Sequence, residues 1–312
     1  MSQIYRYRPV DTEHPGVILE EKLQEIGMSV KEFAFRADRP EQSVLEIIRG
    51  TCSITPDMAI TIEYVTGMSA EVLLNWQRKY DEYKARRTAM DRLGKDRTWL
   101  SSFPMEEMMD KGWVERRDNA DEQVDALLRY FGVASPSAWE NCYFKQRLKV
   151  AFRISLERTA EPYSVSAWLR QGEIQAMNNL LDKPFDGKSL KGKMHEIALL
   201  IQSPPDDILP ILEKMLADSG VKLIFTEPLA GIPIKGAARW IYGWPCIQLL
   251  SERQLYEDFR FTILHELGHI LLHGKKDIFL EQAGFRPDDD PVYEKKEREA
   301  DAFARKWLAE NV

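Results

Sequence analysis

Short groups of apolar residues recur at helical spacing over the first 90 residues. The first group runs from Ile18 to Ile26 and is closed by Gly27. Each later group follows residues that favour a turn or a helix start, namely Ser29, Arg39-Pro40, Thr55-Pro56 and Ser69. The pattern predicts five short helices, with the third over Glu41 to Arg49. Residues 1–90 are therefore expected to form an all-α domain.

A polar stretch around Gly94 predicts a domain boundary, and the pattern beyond it changes twice. Residues 96–180 are expected to be a helical connecting region. Residues 181–312 begin with further predicted helices. Apolar and polar residues then alternate, as in half-buried strands. The predicted strands lie at Val221 to Phe225, Ala237 to Trp240 and Cys246 to Leu250. The chain is thus predicted to be α+β, and its last domain is mainly helical with a small sheet.

Composition narrows the class of protein. The 312 residues are 44% hydrophobic and 30% charged, which is ordinary for a globular protein, and no apolar run reaches membrane-spanning length. The three cysteines are odd in number and far apart, and the N-terminus is too polar for a signal peptide. We therefore expect a cytoplasmic protein without a membrane partner. The net charge of −7 excludes indiscriminate nucleic-acid binding.

The strongest chemical signal is His265-Glu266-Leu267-Gly268-His269, within an apolar run that predicts a helix. Two histidines four residues apart lie on one helix face and can bind one zinc ion through their ring nitrogens. Glu266 follows the first histidine by about 100° of helix rotation and can reach water beside the metal. The motif predicts a Zn²⁺ site with Glu266 within reach of the metal-bound water.

A catalytic zinc of this kind needs a third protein ligand. His273 lies two turns from His265, about 12 Å along the axis, which is too far for one ion on a straight helix. Glu297 is preferred, with Glu299 as the fallback. Asp301 shares the helix face of Glu297 and is expected to accept an N–H from a liganding histidine.

Phe259 to Gly274, together with Glu297 to Phe303, resembles the ImmA/IrrE family of metallopeptidases. The stretches Trp168 to Glu173 and Gly236 to Trp240 extend the resemblance, which covers about residues 96–312. It implies a zincin-like domain of the gluzincin type. It also implies His265, His269 and Glu297 as zinc ligands and Glu266 as the catalytic base.

The front of the chain resembles the HigA-type antitoxins, which have an Xre-like helix-turn-helix. The resemblance lies in three motifs, at His14-Pro15-Gly16, at Ile54 to Ala59 and at Leu74 to Gln77. It implies that Glu41 to Arg49 is a recognition helix for operator DNA. The candidate DNA contacts are Arg39, Gln42, Ser43 and Arg49.

This region departs from the family pattern in its turn and in its charge. Asp38 to Gln42 replaces the usual glycine-containing turn and polar start, and the predicted helix also carries Glu41 and Glu46. Residues 1–90 contain 12 Lys and Arg against 14 Asp and Glu, a balance of −2. The alternative is a helix-turn-helix kept for dimerisation or for protein partners.

Together these features predict a DNA-binding regulator, expected as a homodimer, whose zinc peptidase domain cuts a partner protein. One of the strands within Ala237 to Leu250 is expected to bind the substrate by edge pairing. The alternative is an antitoxin-like repressor whose peptidase-like domain binds a toxin, a repressor or a signal without catalysis.

Overall fold

The structure is a computed structural model. It describes residues 13–145, 161–179, 181–205, 208–232, 234–250, 258–273, 279–282 and 291–309. The chain divides into two compact units, Met1–Lys95 and Asp96–Val312. The predicted further boundary at residue 180 lies inside the second unit and stays a prediction.

The described part of the first unit consists of five helices, which confirms the all-α prediction. They are α1 (Pro15–Glu25), α2 (Val30–Arg36), α3 (Glu41–Ile48), α4 (Pro56–Thr66) and α5 (Ala70–Leu93). Local signals set several of these ends: Ser29 accepts from the Glu32 amide, and Gly67 closes α4 with a φ of 75°. Helix α5 has 24 residues and is thus longer than the short helix that the pattern predicts.

The core of the first unit is formed by the apolar faces of all five helices, with Leu19, Phe33, Val44, Ile62 and Leu73 fully enclosed. Gly16 lies where α1 meets the end of α3, and a side chain there would reach within 1.9 Å of the Ile47 carbonyl oxygen. The His14-Pro15-Gly16 motif therefore joins α1 closely to α3.

The second unit begins with short helices packed around aromatic side chains. A 3₁₀ turn (Gly94–Asp96) precedes α6 (Arg97–Leu100), α7 (Met105–Asp110), α8 (Ala120–Phe131) and α9 (Pro136–Glu140), and a π turn follows (Asn141–Lys145). Trp139 stacks on Tyr163 with ring centroids 5.1 Å apart. Trp139, which is only 1% exposed, is thus a core anchor of this region.

The helices around the sheet are α10 (Pro162–Asn178), α11 (Gly187–Gln202), α12 (Ile208–Ala217), α13 (Asp258–Leu272) and α14 (Pro291–Ala309). None of the helices in the described part of the chain is long and apolar enough to cross a membrane.

The described strands form one sheet in the order β1-β3-β2-β4. They are β1 (Lys222–Thr226), β2 (Ile234–Ile241), β3 (Trp244–Leu250) and β4 (Phe279–Gln282). Strand β3 pairs parallel with β1 and antiparallel with β2, and β4 pairs antiparallel with β2. The expected substrate edge within Ala237 to Leu250 is wrong, because β2 and β3 each have a strand on both sides.

Side chains alternate between the two faces of the sheet. On one face, Ala237 packs with Trp168 and Leu169 of α10. On the other, Ala238 and Ile247 pack with Ile263 of α13 and with the apolar sides of α11, α12 and α14. The sheet is therefore a middle layer between helices, and α13, which carries the histidine motif, lies against β2 and β3.

Candidate metal centre

Two helices bring the candidate residues together. Helix α13 carries His265, Glu266 and His269, and α14 carries Glu297. The helices approach closely at Gly268, where a side-chain carbon would lie 3.2 Å from the Ala300 Cα. A residue without a side chain at this crossing therefore lets α14 bring a carboxylate to the histidines.

The three expected ligand groups converge. The Nε2 atoms of His265 and His269 lie 2.9 Å apart. Glu297 places Oε2 3.2 Å from the His265 Nε2 and Oε1 3.5 Å from the His269 Nε2. The histidines are buried, whereas the Glu297 side chain keeps 22% exposure. One carboxylate oxygen and two ring nitrogens from these residues all lie within 4.8 Å of one another.

Asp301 contacts the Nδ1 side of the His265 ring. Its Oδ1 lies 3.0 Å from the His265 Nδ1. An ionised carboxylate only accepts hydrogen bonds, so Nδ1 carries the hydrogen and a neutral ring has its lone pair on Nε2. That lone pair is directed at the space shared with His269 and Glu297. Asp301 therefore lies where it can accept the Nδ1–H of His265, and its orienting role stays a prediction.

Burial and neighbouring charges determine the protonation states of His269 and Glu297. Burial lowers the pKa of His269 to about 4 against the opposing effect of Glu297. Burial alone would raise the pKa of Glu297, but the adjacent His265 and His269 rings outweigh it and lower that pKa to about 2. At neutral pH the site therefore presents a neutral His269 imidazole and an ionised carboxylate, the forms that metal ligands require.

The residues present fit a zinc ion. Glu297 Oε1 is buried, and among the described residues it has no hydrogen-bond partner. An ionised oxygen in this position is costly unless a positive group lies beside it. Two imidazole nitrogens and one carboxylate are also a known ligand set of catalytic zinc.

Glu266 lies between α13 and the sheet and is fully buried. Gly236 of β2 makes room for it, because a side-chain carbon there would lie 3.0 Å from Glu266 Oε1. The β2–β4 register shifts between Ile234 and Gly236. The sequence singles out Gly236 only within the family-like stretch, and the need for a bare backbone beside Glu266 appears in the structure alone.

His273 and Glu299, the other two candidates for the third ligand, contact each other. His273 Nε2 lies 3.1 Å from Glu299 Oε2, and His273 Nδ1 lies 3.0 Å from the His269 Nδ1. The Phe279 ring of β4 stacks on His269 with centroids 3.7 Å apart. The structure thus places Glu297, and not Glu299, beside the two Nε2 atoms.

The candidate DNA contacts lie on the surface of the first unit. Gln42, Ser43 and Arg49 are exposed on and after α3. Arg39 forms an ion pair with Asp57, and Gln42 donates to Glu46 over 3.2 Å. Two of the four candidates are therefore engaged by acidic neighbours. In the turn before α3, Asp38 adopts a φ of 51°. This is the left-handed conformation that a glycine would usually adopt in such a turn, and Asp is one of the residues that tolerate it.

Comparisons with known proteins match the two parts separately. Residues 219–308 match the family model described as the IrrE N-terminal-like domain. The N-terminal part is 32% identical over 74 residues to YddM of Escherichia coli (strain K12), an uncharacterized HTH-type transcriptional regulator; the match covers 24% of this chain and 79% of YddM.

Two solved structures are also similar to this chain. An addiction module antidote protein of a HigA family from Coxiella burnetii is 32% identical, with 28% of this chain and 95% of that chain covered and a TM-score of 0.26. The antitoxin HigA of Pseudomonas aeruginosa, solved with the higBA promoter, is 29% identical, with 26% and 89% covered and a TM-score of 0.25. Over its N-terminal part the chain belongs to the HTH-type transcriptional regulators, and its C-terminal part contains an IrrE N-terminal-like domain.

Proposed function

We propose that this protein is a DNA-binding regulator whose C-terminal domain is a zinc-dependent peptidase acting on a partner protein. The main support for this proposal is that the Nε2 atoms of His265 and His269 and the Glu297 carboxylate converge. Glu266 follows the first of these histidines on the same helix, which gives the site a carboxylate for proton transfer.

His265, His269 and Glu297 would hold the ion, and Asp301 keeps the His265 lone pair directed at it. Zinc bound there would polarise the scissile carbonyl and lower the pKa of water towards about 7. Glu266 would accept the proton of the attacking water and pass it to the leaving amine. The bare Gly236 backbone leaves the space in which the Glu266 carboxylate lies.

The substrate would bind as an extended segment along β4. Among the described strands, β1 and β4 form the sheet edges, and β4 is the one beside the site, because its Phe279 stacks on His269. A peptide pairing with this edge would gain backbone hydrogen bonds and bring a peptide bond to the metal.

The first unit would bind operator DNA through α3, as a homodimer on two half-sites. Ser43 and Arg49 are exposed for this contact. Arg39 would first have to leave Asp57, and Gln42 would have to leave Glu46. DNA binding is therefore expected to be specific for the operator sequence and of moderate affinity.

The test compares the purified chain with His265→Ala and Glu266→Gln. Metal analysis is expected to find about one zinc per wild-type chain and none in His265→Ala. Glu266→Gln is expected to keep zinc and to lose cleavage of a co-expressed partner protein. A Glu266→Gln variant that cleaves as fast as wild type would contradict the mechanism.

A second candidate is an antitoxin-like repressor whose peptidase-like domain binds a partner without cutting it. The complete burial of Glu266 favours it, because a proton-transfer residue has to meet water. A wild-type chain that binds zinc and a toxin or repressor, but leaves the partner intact, would support this candidate and exclude the first.

A further inference from the structure

We infer that His273 and Glu299 position His269 for metal binding by fixing which of its ring nitrogens carries the hydrogen. This inference rests on the zinc site proposed above. It assigns to His273 a positioning role, because its ring lies on the far side of His269 from the converging Nε2 atoms.

The three side chains form one line of hydrogen bonds. Glu299 Oε2 lies 3.1 Å from His273 Nε2, and His273 Nδ1 lies 3.0 Å from His269 Nδ1. The Glu299 carboxylate can only accept, so the hydrogen of His273 lies on Nε2. A neutral His273 then has an accepting lone pair on Nδ1, and His269 donates its Nδ1–H to it. The remaining lone pair of His269 is therefore on Nε2, facing His265 and Glu297.

The two histidines of the motif are thus oriented in the same way, each by a carboxylate of α14. One carboxylate is bonded directly, and the other is reached through a second ring. His265 donates from Nδ1 directly to the Asp301 carboxylate over 3.0 Å. His269 lies further along α13 and reaches the Glu299 carboxylate through His273. The two accepting carboxylates belong to α14, which also supplies Glu297. One helix therefore provides the third ligand and both orienting carboxylates.

The surroundings of His273 favour this role over simple packing. Its side chain is only 3% exposed, although the residue lies at the end of α13. The Phe279 ring stacks on the face of His269 and restricts rotation of that ring. With rotation restricted, the partner at Nδ1 determines which nitrogen offers a lone pair to the metal.

The test measures the zinc dissociation constant of the full chain by competition with a chelator. His273→Phe keeps a ring of similar size and removes the acceptor. His273→Asn keeps an acceptor near the position of Nδ1. Glu299→Gln changes an exposed position and removes the charge that holds the His273 hydrogen on Nε2. Glu294→Gln, on the same helix and paired with Arg298, is the charge-matched control.

We expect His273→Phe to weaken zinc binding by about 10- to 100-fold. Glu299→Gln should weaken it by roughly 10-fold, and His273→Asn and Glu294→Gln should stay within about threefold of wild type. Recovery of zinc affinity in His273→Asn, relative to His273→Phe, would separate the loss of the hydrogen-bond acceptor from a change in packing.

Unchanged zinc affinity in both His273→Phe and Glu299→Gln, with wild type binding zinc, would overturn the positioning role and leave the metal site standing. A wild-type chain that binds no zinc would overturn both. The predicted losses of affinity in a zinc-loaded protein that cleaves nothing would support the positioning role and count only against the peptidase function.

Discussion

Gly268 of α13 lies opposite Ala300 of α14, so closely that a side-chain carbon at this position would be tighter than an ordinary van der Waals contact. A side-chain carbon on Gly268 would lie 3.2 Å from the Ala300 Cα and equally close to the Phe303 ring. The position of Glu297 beside the two histidines depends on this approach, because Glu297 lies one turn before Ala300 on α14.

Gly268→Leu is expected to destabilise the protein by about 1–3 kcal/mol, because the added side chain forces the two helices apart. It should also weaken zinc binding, since Glu297 moves with α14. Urea denaturation and chelator competition measure the two effects. The matched control is Gly192→Leu on α11, where nothing lies within 4 Å, and it should be neutral or slightly stabilising. Equal effects of the two substitutions would contradict this account of the helix crossing.

Gly236→Ala is expected to reduce peptide cleavage strongly while zinc content stays near wild type. The new methyl group would lie 3.0 Å from Glu266 Oε1 and 2.9 Å from the Thr262 methyl group, so the Glu266 carboxylate has to shift. The measurements are kcat on the partner protein and metal content of the same sample. Full activity with full zinc would show that the room beside Glu266 does not matter for the reaction.

The metal-free protein is expected to lose stability as the pH falls from about 6.5 to 4. The folded pKa of His269 is about 4, below its ordinary value, so the unfolded chain binds more protons in this range. The slope should approach about 1.4 kcal/mol per pH unit. Glu297 acts in the same direction at lower pH, because its folded pKa of about 2 also lies below the ordinary value.

Urea denaturation in the presence of a chelator, repeated across this range, measures the effect. His269→Gln should flatten the upper part of the curve. An unchanged curve in that variant would mean that another group causes the loss.

Asp57→Asn is expected to strengthen binding to a promoter fragment, because it releases Arg39 from its ion pair.

Arg49→Ala should weaken binding to the same fragment and reduce the slope of log affinity against log salt by about 0.9 if Arg49 contacts one phosphate. Fluorescence anisotropy at several salt concentrations measures both. Arg78→Ala on α5, paired with Glu82, is the control of equal charge. No binding to any upstream fragment at low salt would contradict DNA recognition.

The sequence predicts the helices well because their signals are local. Caps such as Ser29 and helix ends such as Gly67 act on neighbouring residues, and helical spacing alone puts His265 and His269 on one face. Glu297 follows from the same reasoning applied to a second helix. The ligand roles themselves stay predictions.

Three of the four described strands follow from the sequence, but β4 and the close approaches could not be predicted in this way. Strand β4 is four residues long and pairs with β2 across a long stretch of chain, so no local pattern indicates it. Without β4, β2 would be an edge strand, which explains the wrong substrate edge. The importance of Gly236 and Gly268 depends on atoms distant in sequence, and the contact of His273 with Glu299 does as well.

The division of the site between α13 and α14 gives a bound cation a mechanical role. An ion held by His269 and Glu297 would be a cross-link across the segment that joins the two helices. Its removal would leave Glu297 joined to α13 only through its contacts with the two histidine rings, so the packing of α14 against α13 would weaken first. Chelation should therefore make this helix the earliest point of proteolytic attack, well before the sheet opens.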